Sequence, residues 1–395
     1  MEKAALCFCN SNLAWGGGER WHLTAARHFA SQGYTVTLAA GRESALGLAA
    51  ARLLEREPGL ALRLRLADWR FGNLDFLRPI KMARFAHFLH IQGIRRLILA
   101  LPADLKAGAA AVRFLSPSSR PDLFYRRGSA IPVSPTWTNR FFYGALRGVI
   151  ANSQETARGV MAGGKLIAPS KISVIYNGVE AEEFDRLLAD QTGDTPSPRR
   201  GGPDRALVIG NAGRLTKQKG HKYLLHMSAE LKKRGVRHRL LMAGSGELLE
   251  DLEKLAARLG LEAGRGLDSD KEVVFAGFME NMAPFWRKID IFVLGSLWEG
   301  FGYVLAEAML AQKPICAFNC NSMPELVLEG QNGFLAAPPQ PGEDEAAGGR
   351  LAEMVLRLHA KPDLAHGLGR AGRALCLERF SQKKAMAALE RVLDI

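Results

Sequence analysis

Hydrophobic residues along the chain gather in short unbroken runs, separated by longer stretches where apolar positions recur every three or four residues. In the first half the runs are "KAALCFC", "YTVTLAA", "LALRLRLA", "IRRLILAL", "DLFYR", "RGVIANS" and "KISVIYNGV". Runs of this length and uniformity suit strands buried on both faces, and the helical stretches between them suit a parallel sheet covered by helices. Near residue 180 the pattern lapses into "LLADQTGDTPSPRRGGPD", whose Gly, Pro, Asp and Arg content reads as a connection. It then restarts: "RALVIGNAGR", "RHRLLMAGSG", "EVVFAGF", "IDIFVLGS" and "KPICAF" read as strands. Helices are expected over 220–234, 247–259, 301–311 and most of 344–395.

The expectation is an α/β protein with two doubly wound, Rossmann-like lobes. The first spans 1–180, the connection 181–204 and the second lobe 205–375, with a closing helix in 376–395 packing back toward the first lobe. At 395 residues the chain exceeds one ordinary core, which agrees with two. Ligands of such sheets sit beyond the carboxyl ends of the strands, and a cleft between facing lobes is the expected site.

Charge changes this picture. Residues 1–180 hold 24 Lys and Arg against 11 Asp and Glu, whereas 181–395 hold 29 of each. The whole net charge of +13 therefore belongs to the first lobe. Such one-sidedness suggests that this lobe meets something anionic: phosphate, nucleic acid or lipid head groups. No run of about 18 apolar residues is present, so a membrane-spanning helix is not expected. The start "MEKAALCFCNSN" lacks the pattern of a signal peptide. Cys7 and Cys9 alternate on one expected strand, and the five cysteines show no CxxC spacing, which favours buried thiols in a reducing compartment.

Candidate chemistry concentrates in the second lobe. "EGFGYVLAEA", residues 299–308, follows the strand run "IDIFVLGS" directly. Glu299 then stands at a strand's carboxyl end. Gly300 and Gly302 let backbone N–H groups approach a ligand, and the helix start behind them suits a phosphate. Glu307, further along that helix, offers a second carboxylate able to accept two hydrogen bonds from adjacent hydroxyls. A glycine-hinged helix start with an incidental glutamate is the plain alternative. "GNAGRLTKQKG" brings Arg214 and Lys219 to the end of the lobe's first strand, where a guanidinium fork and a mobile ammonium suit phosphate oxygens.

Together "GRLTKQKG" and "EGFGYVLAEA" resemble the retaining nucleotide-sugar glycosyltransferases of family 4, which have the two-lobed GT-B fold. The resemblance extends through "GGGER", "ANSQETARGV", "IYNGV", "MAGSGE", "FAGF" and "MPELV" with "GQNGF", covering most of the chain. It implies that Arg214 and Lys219 hold the donor diphosphate. It implies further that Glu299 contacts the donor sugar, with the Phe301 and Gly302 backbone at sugar and phosphate. Glu307 would take the ribose hydroxyls, Gly277 and Phe278 would line the nucleobase, and Gly244 would belong to the same donor site.

The first lobe is less sharply marked. Gly16, Gly17 and Gly18 could set backbone N–H groups against a donor phosphate or the acceptor, but "GGGER" is not GxGxxG. No strong acidic partner closes the second strand, where "LAAGRES" stands, so a dinucleotide dehydrogenase is disfavoured. Asp104, Lys106, Arg126 and Arg127 stand after two of the strand runs. Many relatives carry a histidine at this edge, whereas His87 and His90 fall on the preceding helix. Asp104 is then a candidate to orient the acceptor hydroxyl, and Lys106 and Arg127 to pair with phosphates; a solvated strand end is the alternative for each. "LDSD" (Asp268, Asp270) lies in a polar stretch before "KEVVFAG", apart from the other motifs, and reads as a loop; the two cations and the helix start can neutralise a diphosphate without a metal. Finally, "RPIKMARFAHFLHIQGIRR" sets Arg78, Lys81, Arg84, Arg95 and Arg96 beside Phe85, Phe88 and Leu89. It reads equally as a helix lying on an anionic bilayer and as a sheet-covering helix with a solvated basic side.

The expected protein is a sugar transferase using a nucleoside-diphosphate sugar, with no cofactor and no metal. The acceptor would be a glycan or lipid-linked hydroxyl, as in lipopolysaccharide or other cell-envelope synthesis. The expected place is the cytoplasm, peripheral at the inner membrane face. Retention of configuration follows from the resemblance alone. Rivals are a GT-B epimerase or phosphorylase and a basic nucleic-acid-binding protein, the last disfavoured because the neutral lobe carries the sharper motifs.

Overall fold

The computed structural model describes residues 3–162, 164, 166–189 and 205–395. The chain divides into two compact units, residues 1–177 with 383–395, and 178–382. The first contains β1 (Ala5–Cys9), β2 (Val36–Ala39), β3 (Leu64–Ala67), β4 (Ile94–Leu99), β5 (Asp122–Arg127), β6 (Gly148–Ala151) and β7 (Ile172–Val174). They pair in parallel in the order β3-β2-β1-β4-β5-β6-β7, so the winding reverses between β1 and β4. β2 and β6 are buried along their whole length and β1 from Leu6 onward, while the edge strand β3 exposes its centre. Cys7 and Cys9 are buried, and both thiols are pushed well above their ordinary range, chiefly by burial.

The second unit contains β8 (Leu207–Ala212), β9 (His238–Ala243), β10 (Ala263–Arg265), β11 (Val273–Gly277), β12 (Ile291–Leu294), β13 (Ile315–Phe318) and β14 (Gly333–Ala336). Their order is β10-β11-β9-β8-β12-β13-β14, again parallel throughout, with the reversal between β8 and β12. The two outermost strands were not anticipated. β10 is three residues long with an exposed–intermediate–exposed pattern, so it carries no apolar run and is held by its backbone pairing with β11. β14 opens on Gly333, where a Cβ would stand 2.3 Å from the Ile315 carbonyl, so its start is written in glycine instead of a β-branched residue.

The expected connection is shorter than its composition suggested. Residues Ala181–Ala189 form a helix that buries Leu188, joins Asp185 to Arg373 through two bonds of 2.6 and 3.0 Å, and receives the Arg287 guanidinium on the Leu188 carbonyl. The rest of that connection lies outside the described residues. The chain re-enters the first unit at Lys383 and not near 376, because the helix Pro362–Arg379 runs unbroken with Cys376 buried. The final helix, Gln382–Leu393, places Ala385, Met386, Leu389 and Leu393 in one core with Trp21, Phe29 and Ile98. His28 Nε2 meets Glu390 at 2.9 Å, and Arg96 Nε donates to the Leu393 carbonyl at 2.8 Å.

The basic helix Pro79–Ile91 resolves one open alternative. Phe85 and Leu89 are 0% and 1% exposed, and Phe88 packs on the same core, so its aromatic face covers the sheet and cannot reach a bilayer. Among the described residues, no helix is long and apolar enough to cross a membrane.

Candidate active site

In the second unit the loops after β8 and β12 are joined along their backbones. Leu297 N–H donates to the Gln218 carbonyl, and the Gln218 side chain donates to the Trp298 carbonyl, both at 2.8 Å. Gly220, at φ +60°, makes this approach possible: a Cβ there would stand 2.0 Å from the Gly295 carbonyl oxygen. Lys219 thereby meets Glu299 in an ion pair with both side chains largely out of water, 15% and 9% exposed. Ser296 Oγ donates to the same Glu299 oxygen at 2.9 Å, and Ser322 Oγ holds the Glu299 backbone carbonyl at 3.0 Å. The carboxylate is thus neutralised and aimed by groups from both loops, as a nearly buried charge requires.

Beyond Glu299 the chain turns through Phe301 and Gly302 into the helix Tyr303–Leu310. Gly302 caps that helix at φ +83°, a left-handed conformation that glycine adopts freely, and has no side chain with which to cap the N–H groups it precedes. The Phe301 ring is 2% exposed and sits edge-on against Phe380 at 5.5 Å and Tyr303 at 5.8 Å, so only its backbone can serve a ligand. Glu307 is half-buried in the same helix. Arg214 is exposed after β8. A Cβ on Gly244, after β9, would lie 2.0 Å from the Gly213 carbonyl and 3.6 Å from the Arg214 nitrogen. Gly244 in turn donates to the Gly277 carbonyl at 2.8 Å, and the next residue, Phe278, stands 74% exposed. The structure therefore gathers Arg214, Lys219, Gly244, Gly277, Phe278, Glu299 and Gly302 at the carboxyl ends of β8, β9, β11 and β12. Asp268 is far more exposed and pairs with Lys288 at 2.8 Å.

At the corresponding edge of the first unit, Gly16 precedes the helix Gly17–Ser31 and no side chain caps it. Arg126, 5% exposed, reaches under this turn: one guanidinium nitrogen is 3.7 Å from where a Gly18 Cβ would stand, and another bonds Asn177 Oδ1 at 2.7 Å. Its charge lies over the Trp21 ring at 5.0 Å. Glu19 is buried and accepts from the side-chain amides of Asn10 and Asn12 at 3.1 and 2.9 Å. Asp104 differs from expectation. It is fully buried and accepts from the Ser11 hydroxyl, from Ser11 N–H at 3.3 Å and from Leu101 N–H at 2.9 Å. It ties the β1 loop to a helix start and has no surface to offer an acceptor, so the catalytic assignment is corrected to a structural one. Burial raises its pKa to about 6, against the pull of those hydrogen bonds. Arg127 is also turned inward, 9% exposed, with its guanidinium on the Ile131 carbonyl. Lys106 is half-buried, its ammonium 5.7 Å from the Phe76 ring.

Two family models tile this architecture. "Glycosyltransferase Family 4" matches residues 15–183, and "Glycosyl transferases group 1" matches residues 206–357. The chain carries a glycosyltransferase family 4 domain followed by a glycosyltransferase group 1 domain. Among curated relatives, an uncharacterized glycosyltransferase of Methanocaldococcus jannaschii is 32% identical over 173 residues, 43% of this chain and 42% of its own length. The chain thus spans about two fifths of that relative. Among solved structures, a glycosyltransferase from Rickettsia africae superposes with a TM-score of 0.80 at 18% identity, covering 100% of this chain and 98% of its own. Anabaena HepE in complex with UDP-glucose gives 0.74 at 21% identity, with full coverage of both chains. The lipopolysaccharide outer core galactosyltransferase WaaB gives 0.70 at 19%, covering 99% of each. The fold is GT-B.

Three residues of the second unit escaped the sequence reading. Ser296 and Ser322 look like ordinary loop serines until both loops converge on Glu299. His221, directly after Gly220, is 1% exposed with neither ring nitrogen hydrogen-bonded. Burial, then the nearby Lys219 charge, lowers its pKa to about 4, so it stays neutral beside the ion pair at ordinary pH.

Proposed function

We propose that the chain transfers a sugar from a nucleoside-diphosphate sugar to a hydroxyl of a glycan or lipid-linked acceptor, with retention of the anomeric configuration. The observation that carries the reading is the near-buried Glu299, paired with Lys219 and aimed by Ser296, between exposed Arg214 and the uncapped helix start at Gly302. In this reading the donor diphosphate lies on the helix start and competes with Glu299 for the Lys219 ammonium. Arg214 adds a planar fork to the same phosphates, so positive charge stands where the departing diphosphate gains negative charge. Glu299, released in part from Lys219, accepts hydroxyls of the transferred sugar. Phe278 offers an exposed ring beside Gly277 for the base, and Glu307 a carboxylate for the ribose. The acceptor oxygen then bonds to the anomeric carbon on the face the diphosphate leaves, as the bond from that carbon to the phosphate oxygen breaks and the departing diphosphate takes the hydroxyl proton; the scheme needs no metal.

HepE was solved with UDP-glucose and WaaB is an outer core galactosyltransferase of lipopolysaccharide, which makes a UDP-hexose the first donor to try and an envelope glycan the first acceptor class. The test is calorimetry with UDP-, GDP- and ADP-sugars on wild type, Arg214→Ala and Glu307→Ala. One donor should bind wild type and lose about ten- to a hundredfold in each variant, as expected for single charge-assisted contacts of roughly 1.5–3 kcal/mol. Equal binding by all three proteins, or none by folded wild type, would overturn the site.

A further inference from the structure

Exposed apolar side chains are unevenly shared between the units. Of the eighteen large ones exposed among the described residues, fourteen, from Leu13 to Met161, belong to the basic unit. Several of them share one region. The short turn Asp75–Leu77 and the helix Trp137–Gly144 are joined by the Phe76 and Phe142 rings, 5.2 Å apart. Arg113, on a neighbouring turn, lies over the Phe141 ring at 4.1 Å. Out of this region stand Leu77 at 64%, Ile80 at 77% and Trp137 at 79% exposure, with Phe141 at 40% one helical turn from Trp137. Arg78, Arg113 and Arg140 are exposed beside them.

The surrounding charge is nearly all of one sign. Residues 69–147 contain thirteen Lys and Arg, eleven of them besides the buried Arg126 and Arg127, against three acids. Those three are engaged: Asp104 is buried, Asp75 is bonded by Lys81 at 2.6 Å and lies 3.3 Å from Arg78, and Asp122 pairs with Arg96 at 3.1 Å. We propose that this face of the first unit docks on a bilayer containing anionic lipid. Trp137, Leu77 and Ile80 enter the headgroup–acyl boundary while Arg78, Arg113 and Arg140 meet lipid phosphates. A nucleic acid would satisfy the cations but leave Leu77 and Ile80 in water, since aliphatic chains offer bases no stacking platform. The proposal does not depend on the donor reading, and it brings the enzyme to where lipid-linked acceptors lie.

The experiment is co-sedimentation of the full chain with phosphatidylcholine vesicles, with and without phosphatidylglycerol, across a salt series. Wild type should bind the anionic vesicles, release with salt, and ignore phosphatidylcholine alone. Trp137→Ser and Arg140→Glu, both at exposed positions and so leaving the melting temperature in place, should each weaken binding about fivefold or more, in line with the gain expected from one basic residue at such a surface. Wild type should also show a blue-shifted tryptophan emission on the vesicles that Trp137→Ser lacks. No binding by wild type, or equal binding by both variants, would overturn the proposal, as would retention on RNA with none on vesicles.

Discussion

At the scale of single residues, ionisable groups taken out of water are met in two ways, by an ionic partner or by a shift toward the neutral form. Lys219 and Glu299 neutralise one another and remain available to a ligand that can replace either partner. Asp104, His22 and His221 have no such partner in reach and respond by shifting. His22 is lowered to about 3 and His221 to about 4, both chiefly by burial, while Asp104 is raised to about 6 by the same cause. The signs oppose one another. Between about pH 6.5 and 4 the unfolded chain takes up protons at both histidines that the folded chain refuses, so their contribution to stability is lost on acidification. Over about pH 6 to 4 the folded chain takes up a proton at Asp104 before the unfolded chain does, which favours folding as the pH falls. Two histidines against one aspartate leave a net acid destabilisation. Asp104→Asn should make the fall in melting temperature between pH 6 and 4 steeper than in wild type. An unchanged slope in a pH series of thermal melts would show that Asp104 does not carry that opposing contribution.

At the scale of elements, the apolar runs were sufficient for the interior of both sheets and insufficient at the edges. All seven strands of the first unit, and the five inner strands of the second, appear as strands in the sequence, most as apolar runs covered on both faces and the edge strand β3, exposed at its centre, as alternating Leu and Arg. β10 and β14 did not, being respectively exposed and opened by glycine. The helices that close the site were legible from their glycines, although the reason for one of them was not. Gly220 reads as a helix start, but its necessity comes from the Gly295 carbonyl 2.0 Å from its absent Cβ, together with a φ of +60°. Gly220→Ala should therefore cost more than the roughly 1–2 kcal/mol of a left-handed alanine, since two backbones must also separate. It should weaken donor binding too, because Lys219 and Glu299 are set by those same loops. Urea denaturation beside donor calorimetry reads both; wild-type stability would mean the loops part without strain.

For the whole molecule, the chain closes the core of its first unit with its last residues. Met386, Leu389 and Leu393 are each no more than 1% exposed, in one cluster with Phe29 and Trp21. Leu389→Ala should cost about 2–5 kcal/mol, as a buried leucine truncation does, and leave donor affinity unchanged, because the proposed donor site lies in the other unit. Chemical unfolding of the variant, with donor titration under conditions where it is folded, checks the pair of outcomes. The two parallel sheets, the division of charge between the units and the candidate site residues of the second were legible in the chain alone, since all three are written in local runs, counts and spacings. Tertiary structure alone decided that Asp104 is a strut and that the aromatic side of the 79–91 helix is core. It also decided that the last helix belongs to the first unit, and that Ser296, Ser322 and His221 surround the Lys219–Glu299 pair. Those facts depend on which distant segments meet, and burial, which sets both a side chain's partners and its charge, exists only once they have met.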